Sequence, residues 1–527
     1  MTSKISDIFP LSCSLLGVKA WQRLLKGAGD GMQAATLPDF LERQGGPGIP
    51  RFLSGLARIE LARSIAAAAE TSLPSGDTPL ILNPSLRLVS LDWKGLAPLF
   101  TSSRRRDLSR VRPGAEIVLV WREPGTGGIS TRVAEAGDLL AIKLVVEEIA
   151  PEDAAREAGV PVGNMDAVLR EAVRKGIVLS PPSRLRREAA IAAGAADGRF
   201  LQAEVFTLQW HLTQECDLHC RHCYDRSHRR EFPFERAVSL LDELRGFCRT
   251  RFAAGQVSLS GGNPLLFPHF FDLYRAAADR GFMIAILGNA ADRAAIERIM
   301  GIRTPVYYQV SLEGLEAHND EIRGAGNFRR TKEFLRMLTG MGVPNMVMLT
   351  LTRDNIGQVI PLAEELEGIT GGLTFNRLAQ FGEGAALQLP TMEAYRSFLS
   401  EYAAALETHP VLTLKDSLLN IIFEQENSSL FGGCAGHGCG AAFNFVSILS
   451  DGEVHACRKF PSPIGNIIAQ SLEEVYASAA AHRYRAGSTA CSGCRLRAVC
   501  GGCMAVTQGM GLDPFNDRDP FCFRHHA

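Results

Sequence analysis

No run of about 18 apolar residues occurs anywhere in the sequence, so nothing in it reads as a membrane-spanning helix. Neither sign of charge is in excess. The 56 Lys and Arg stand against 57 Asp and Glu, a formal net charge of −1, which lacks the footprint of a nucleic-acid or membrane-surface binder. The N-terminal MTSKISDIFPLSCSLLG has an apolar patch broken by Pro10 and no A-x-A cleavage pattern, so a cytoplasmic protein is expected rather than a secreted one. The first 200 residues contain a single cysteine, Cys13. The other twelve are concentrated: three between 216 and 223, one at 248, and eight between Cys434 and Cys522. Without an export signal, such clustering argues for metal or redox chemistry rather than disulfides.

At 46% hydrophobic and 21% charged over 527 residues, the chain is a soluble globular protein of several domains. Residues 1–85 read as a helical region, with apolar residues at i, i+3, i+4 spacing in WQRLLKGAG, LPDFLERQ and IPRFLSGLARIELARSIAAAAE, and with Pro38 and Pro50 at first-turn positions. Residues 86–202 read as an α+β region. Two strands, LRLVSLDW and EIVLVWRE, precede a helix, a short helix, a helix and a strand-like tail, the order of a winged-helix unit. DNA binding is not favoured. Residues 1–200 hold 26 Lys and Arg against 22 Asp and Glu, and the one basic concentration, Arg104, Arg105, Arg106, Arg110 and Arg112, reads as solvated surface. A peptide-recognition module with an Ala- and Gly-rich linker ending near Ala203 is the better reading.

Residues 203–408 alternate strand and helix. Strands are expected at 205–212, 256–260, 283–288, 306–312, 345–351 and 373–378, separated by amphipathic helices, which gives an α/β fold with a parallel sheet. Parallel β/α architectures carry their chemistry at the C-terminal strand ends. The first strand ends in CDLHCRHCY, where Cys216, Cys220 and Cys223 make a C-x3-C-x2-C pattern with no fourth cysteine nearby. A closed zinc site or an iron–sulfur cubane uses four ligands. Three thiolates leave a metal corner open, a catalytic arrangement, unless His219, His222 or Cys248 completes a zinc site.

Residues 409–527 contain the second constellation. Strands around Asp451-Gly452 form a hairpin that brings Cys439 and Cys457 together, and a C-x2-C-x5-C-x2-C run at Cys491, Cys494, Cys500 and Cys503 precedes Cys522. Ser471 and Glu474 form a capping box between these blocks.

The three-cysteine loop resembles the signature of radical S-adenosylmethionine (SAM) enzymes, C-x3-C-x-aromatic-C, with His222 in the aromatic slot. The C-terminal cysteines resemble the SPASM domain of peptide-modifying radical SAM enzymes, one residue shorter in the last spacing. The resemblance implies a partial (β/α)6 barrel whose Cys216, Cys220 and Cys223 hold a [4Fe-4S] cluster that binds SAM and cleaves it to a 5′-deoxyadenosyl radical. It further implies SAM contacts from Gly261, Gly262 and Asn263, where the family more often has Gly-Gly-Glu, and from Asn289, Ser311, Glu313 and Arg323. Arg323 would hold the SAM carboxylate unless it forms a structural pair with Asp320. Family connectivity assigns one auxiliary [4Fe-4S] cluster to Cys434, Cys439, Cys457 and Cys503, and another to Cys491, Cys494, Cys500 and Cys522, three clusters in all. Gly382 and Gly384 fall at an adenine-side turn.

The segments FTLQWHLTQECDLHCRHCYDRS, VSLSGGNPLLFPHF, IFP and LPDFL are similar to the selenobiotic family, or thio(seleno)oxazole-modification, radical SAM maturases. That similarity implies a short ribosomally made precursor peptide modified at Cys or selenocysteine positions, and an electron donor such as flavodoxin or ferredoxin. Two rivals are a sulfatase-type maturase forming formylglycine and a zinc-binding regulator that reads DNA or protein.

Overall fold

A computed structural model describes residues 2–28, 32–44, 48–70, 72–74, 80–100, 107–192 and 197–524. The chain divides into two compact units, Met1–Pro182 and Ser183–Ala527.

The first unit begins with helices Thr2–Ile8, Pro10–Leu16, Val18–Gly27, Leu37–Arg43 and Leu53–Ala68, the last three on the three stretches whose spacing reads as helical. Pro38 lies in the first turn of its helix, where its missing N–H costs nothing. Pro50 does not: the helix starts at Leu53, and the Pro50 carbonyl accepts from Leu53 N in the preceding turn. Helix Leu53–Ala68 buries Leu56, Ile59 and Ala66 in one cluster with Val89, Leu91, Val118 and Val120, so the expected border at residue 85 runs through a shared core. After β1 (Ile81–Leu82), an antiparallel three-stranded sheet is formed by β2 (Arg87–Lys94), β3 (Arg112–Arg122) and β4 (Ile129–Val133). The third of these, ISTRV, has too few residues for its alternation to be read from sequence. Helices Ala136–Val146, Pro151–Ala158 and Val162–Arg174 follow, and the tail β5 (Val178–Leu179) pairs antiparallel with β1 rather than folding into a local wing. Arg110 and Arg112 are exposed, and Arg104, Arg105 and Arg106 lie outside the described residues.

The second unit starts at Ser183 rather than near Ala203, because β6 (Leu185–Arg186) pairs with β7 (Gln202–Ala203) and draws the described parts of the linker onto this unit. Six parallel strands then follow, β8 (Val205–His211), β9 (Ala254–Ser260), β10 (Met283–Leu287), β11 (Tyr307–Ser311), β12 (Asn345–Leu351) and β13 (Leu373–Arg377), each succeeded by a helix. They sit side by side in chain order, as right-handed crossovers dictate. The sheet continues. β14 (Phe445–Ile448) pairs parallel with β8, and β15 (Glu453–His455) and β16 (Pro463–Asn466) extend it antiparallel, giving nine strands in the order 13-12-11-10-9-8-14-15-16. Gly452 at φ +84° makes the expected turn between β14 and β15, and Ser471 and Glu474 close the expected capping box. A single hydrophobic cluster runs from Leu185 through the barrel to Phe523, so barrel and C-terminal region share one core.

Candidate active site

β8 delivers the cysteine loop to the C-terminal edge of the sheet, and two glycine turns fix its course. The carbonyls of Thr213 and Glu215 accept from Gly262 N at 2.8 Å and Asn263 N at 2.7 Å. A Cβ on Gly261, which sits at φ +139°, would lie 2.4 Å from the Thr213 oxygen, and one on Gly262 would lie 2.2 Å from that of Glu215. On the opposite flank Glu383 N donates to the Cys223 carbonyl at 2.9 Å, and a Cβ on Gly382 would meet the Tyr224 oxygen at 2.4 Å. Only glycine lets the turns after β9 and β13 approach the loop backbone this closely. Gly384, tight against the His222 carbonyl, belongs to the same contact.

The three thiols act on one another electrostatically. Burial raises the Cys220 and Cys223 thiols above their ordinary values, each further raised by Cys216, which is the exposed member. Asn289 donates to Asp217 Oδ1 at 2.7 Å and reaches Cys216 Sγ at 3.5 Å; Asn263 donates to the same Asp217 oxygen at 3.0 Å. Asn263 Oδ1 accepts from Leu265 N. Glu313, 1% exposed, accepts from Thr350 N at 2.8 Å and from Arg323 Nη1 at 3.2 Å, and stands 3.3 Å from His222 Nε2. Arg323 Nη2 donates to Asn289 Oδ1 at 3.3 Å. The partner of Arg323 is thus Glu313, not Asp320, whose carboxylate accepts instead from Gly326 N and Phe328 N at the start of the next helix.

These strand ends enclose a cavity of about 240 Å³. Cys216, Cys220 and Cys223 line it, with Gly261, Gly262, Asn289, Ser311 and Arg323; Arg458 and Lys459, directly after Cys457, line it too. Gln309 and Asn376 line it as well, whereas Gln209 accepts from Ser447 Oγ across the β8–β14 pair. Sequence reasoning missed Arg458 and Lys459; the available signal was their position immediately after a hairpin cysteine.

The donor set fits a cubane cluster with one open iron. Three thiols meet at the cavity, and buried Ser260 Oγ, Arg323 Nε and His222 Nδ1, all in residues lining it, have no partner among the described residues. Cys248, the candidate fourth ligand, lies in the core of helix Phe234–Thr250 with its thiol pushed up to about 12 by burial. His219 engages Arg226, and His222 faces Glu313.

Among the C-terminal cysteines, Cys439 and Cys457 feel the charge of Cys434 and Cys503, and Cys491 that of Cys494 and Cys522. Burial raises the Cys439 thiol to about 12, with Cys457, Cys503 and Cys434 adding to the effect, and burial raises Cys457 to about 11, with Cys434 and Cys503 adding. Cys491 is raised to about 11 by burial, then by Cys494 and Cys522, and Cys522 also acts on buried Cys500. Ligation needs thiolates, and metal charge supplies the stabilisation that burial removes. Gly501 and Gly502, both at φ +68°, turn the chain between Cys500 and Cys503, and Cys500 carbonyl accepts from Cys439 N at 3.0 Å, bringing the two groups side by side. Cys13 is half-buried in the first unit's helical core.

Residues 210–366 match the model of the radical SAM superfamily, and residues 439–504 match that of the SPASM iron-sulfur cluster-binding domain. The chain is 29% identical over 340 residues to the mycofactocin maturase MftC of Mycobacterium ulcerans, covering 61% of this chain and 88% of that protein. It is 24% identical over 310 residues to the antilisterial bacteriocin subtilosin biosynthesis protein AlbA of Bacillus subtilis, covering 55% of this chain and 65% of that one. The fold is shared with the crystal structure of Streptococcus suis SuiB bound to precursor peptide SuiA, at 16% identity and TM-score 0.51, over 77% of this chain and 96% of that one.

Proposed function

We propose that this chain, which carries a radical SAM domain followed by a SPASM domain, is an enzyme that uses SAM to modify a ribosomally made precursor peptide. The observation that carries this reading is the cavity itself: three thiols, glycine turns and polar strand ends share one lining with Arg458 and Lys459, which follow Cys457. The relatives named as maturases, and the precursor peptide bound to SuiB, support a peptide as substrate. When bound at Cys216, Cys220 and Cys223, a [4Fe-4S] cluster supplies the single electron that splits SAM to methionine and a 5′-deoxyadenosyl radical.

The chain's own residues do the rest. In that reading the Gly261-Gly262-Asn263 turn would meet the amino group of SAM with Asn289 beside it, Ser311 and Glu313 would lie near its ribose or carboxylate, and Arg323 would hold the carboxylate. Gln309 and Asn376 offer hydrogen bonds to a substrate lying across the barrel mouth. Cys434, Cys439, Cys457 and Cys503 would hold one auxiliary cluster, and Cys491, Cys494, Cys500 and Cys522 the other; one auxiliary cluster would take up the electron left after hydrogen abstraction or ligate the substrate thiolate. Residues 1–182 would hold the peptide, and modification at Cys or selenocysteine positions, as in the selenobiotic family, is the finer form of the reading.

Anaerobic purification with iron and sulfide counting, followed by SAM turnover under dithionite, tests it. About twelve irons per chain and 5′-deoxyadenosine formation are expected for three four-iron clusters. Zinc without iron and without SAM cleavage would overturn it in favour of a zinc-binding regulator.

A further inference from the structure

Outside the barrel mouth, the second unit has a larger open groove of about 680 Å³. Its walls carry Arg184, Arg186, Arg187, Arg251 and Arg485. The acidic residues lining it are Glu188 and Glu473, leaving three positive charges in excess on a chain whose total is −1. Both acids are engaged, Glu473 by Arg251 at 2.5 Å and Glu188 by His482 at 2.9 Å. Arg184 and Arg186 are exposed.

The floor of this groove touches the first auxiliary cysteine group. Arg187 lies over the Phe443 ring, 3.9 Å from its centroid, and its Nη2 donates to the carbonyls of His437 and, at 2.6 Å, Cys439. Arg485 donates to the carbonyls of Ala442 and Tyr476 and fixes the same segment from the other side. A single side chain therefore separates the basic groove from the backbone of Cys439. A basic concavity at a buried redox centre has the charge and position that an acidic electron carrier needs, since charge complementarity raises encounter rates and orients the partner.

We propose that this groove docks an acidic one-electron carrier protein of the flavodoxin type, which passes its electron to the cluster held by Cys434, Cys439, Cys457 and Cys503. In that step the anionic flavin hydroquinone becomes the neutral semiquinone and the oxidised cluster gains one electron; no bond is made or broken and no proton moves. The inference rests on the iron-cluster reading of the C-terminal cysteines.

The test uses the iron-loaded full chain, reduced flavodoxin as probe, and the variants R184E/R186E and R184A/R186A. Neither arginine holds a cysteine loop. Two readouts are taken, binding of flavodoxin at low salt and the rate at which visible iron–sulfur absorbance bleaches. For the charge reversal, binding and bleaching are expected to fall about tenfold, with the alanine pair intermediate, and wild-type rates to fall about tenfold at high salt. Bleaching by dithionite is expected to be unchanged in all three proteins. Unchanged flavodoxin binding and bleaching in R184E/R186E would overturn the proposal. So would loss of peptide modification under dithionite with flavodoxin rates intact, because the groove would then serve a peptide. A protein in which Cys216, Cys220 and Cys223 are all Ala and which has no iron chromophore left would instead refute the cluster reading on which the proposal stands.

Discussion

Arg377, the last residue of β13, holds both carboxylate oxygens of Asp519, 142 residues further on, at 2.8 and 2.7 Å, while its Nε donates to Asp416 at 2.8 Å. The guanidinium is 2% exposed, and Asp519 also accepts from Cys503 N at 2.8 Å. The barrel is thereby locked to the loop of an auxiliary cysteine. Replacing Arg377 by Gln leaves two buried carboxylates without a cation, which costs about 3–5 kcal/mol. A lower thermal midpoint and loss of iron from the C-terminal cysteines are expected in R377Q, and thermal denaturation with iron analysis checks both.

Cys216, Cys220 and Cys223 changed together to Ala should abolish 5′-deoxyadenosine formation and lower the iron content by about four atoms. Liquid chromatography of the SAM reaction and colorimetric iron measurement give the two numbers. Persistence of SAM cleavage would remove these cysteines from the reaction.

Gly262→Ala would place a methyl carbon 2.2 Å from the Glu215 carbonyl oxygen, so the turn after β9 or the cysteine loop must shift. The expected outcome is at least a tenfold loss of SAM cleavage with the C-terminal iron retained. Electron paramagnetic resonance of the reduced protein separates loss of one cluster from general unfolding.

Asp138 supplies a pH dependence confined to the first unit. It is 2% exposed and bonded to Lys175 at 2.9 Å and to Arg132. Burial alone would raise its carboxyl, but hydrogen bonds from Glu135 N, Lys175 and Arg132 outweigh this and hold it below the usual carboxylate value. The stabilisation is therefore present above the unfolded value, about 3.9, and disappears as pH falls through the lower folded value. Acid titration of tryptophan fluorescence should show the Asp138→Asn variant already destabilised at neutral pH and less sensitive to acid than wild type.

Removing residues 1–182 cuts the chain between its two compact units. The remaining protein is expected to cleave SAM without substrate and to lose peptide modification, as mass spectrometry of the peptide would report. Equal loss of both activities would make the first unit a structural element only.

The six barrel strands were legible because apolar runs such as VFTLQWHL and NMVMLTL alternate regularly with amphipathic helices, and strand ends follow from the parallel order. The glycine turns at 261–262 and 382 were also legible as turns, though sequence could not say that each faces the cysteine loop's own carbonyls. What escaped were relations between distant segments. The β8–β14 pairing joins residues over 230 positions apart. Nothing local in FNFVSI selects that partner. The same limit explains Arg377, which reads as an ordinary strand-end arginine until Asp416 and Asp519 arrive beside it, and Arg323, whose candidate partner in sequence, Asp320, is spent on capping while Glu313 becomes its partner. Strand Ile129–Val133 went unread because five residues between a glycine turn and a helix carry little alternation.

The register Phe445↔Thr207 through Ile448↔Trp210 makes the sheet a ruler. β8 leads into the cysteine loop and the β14–β15 hairpin leads into Cys457, so the span between these two cysteine regions is counted in backbone hydrogen bonds rather than held by side chains. Side chains at the barrel mouth can therefore change while the spacing between the two sets of thiols stays constant.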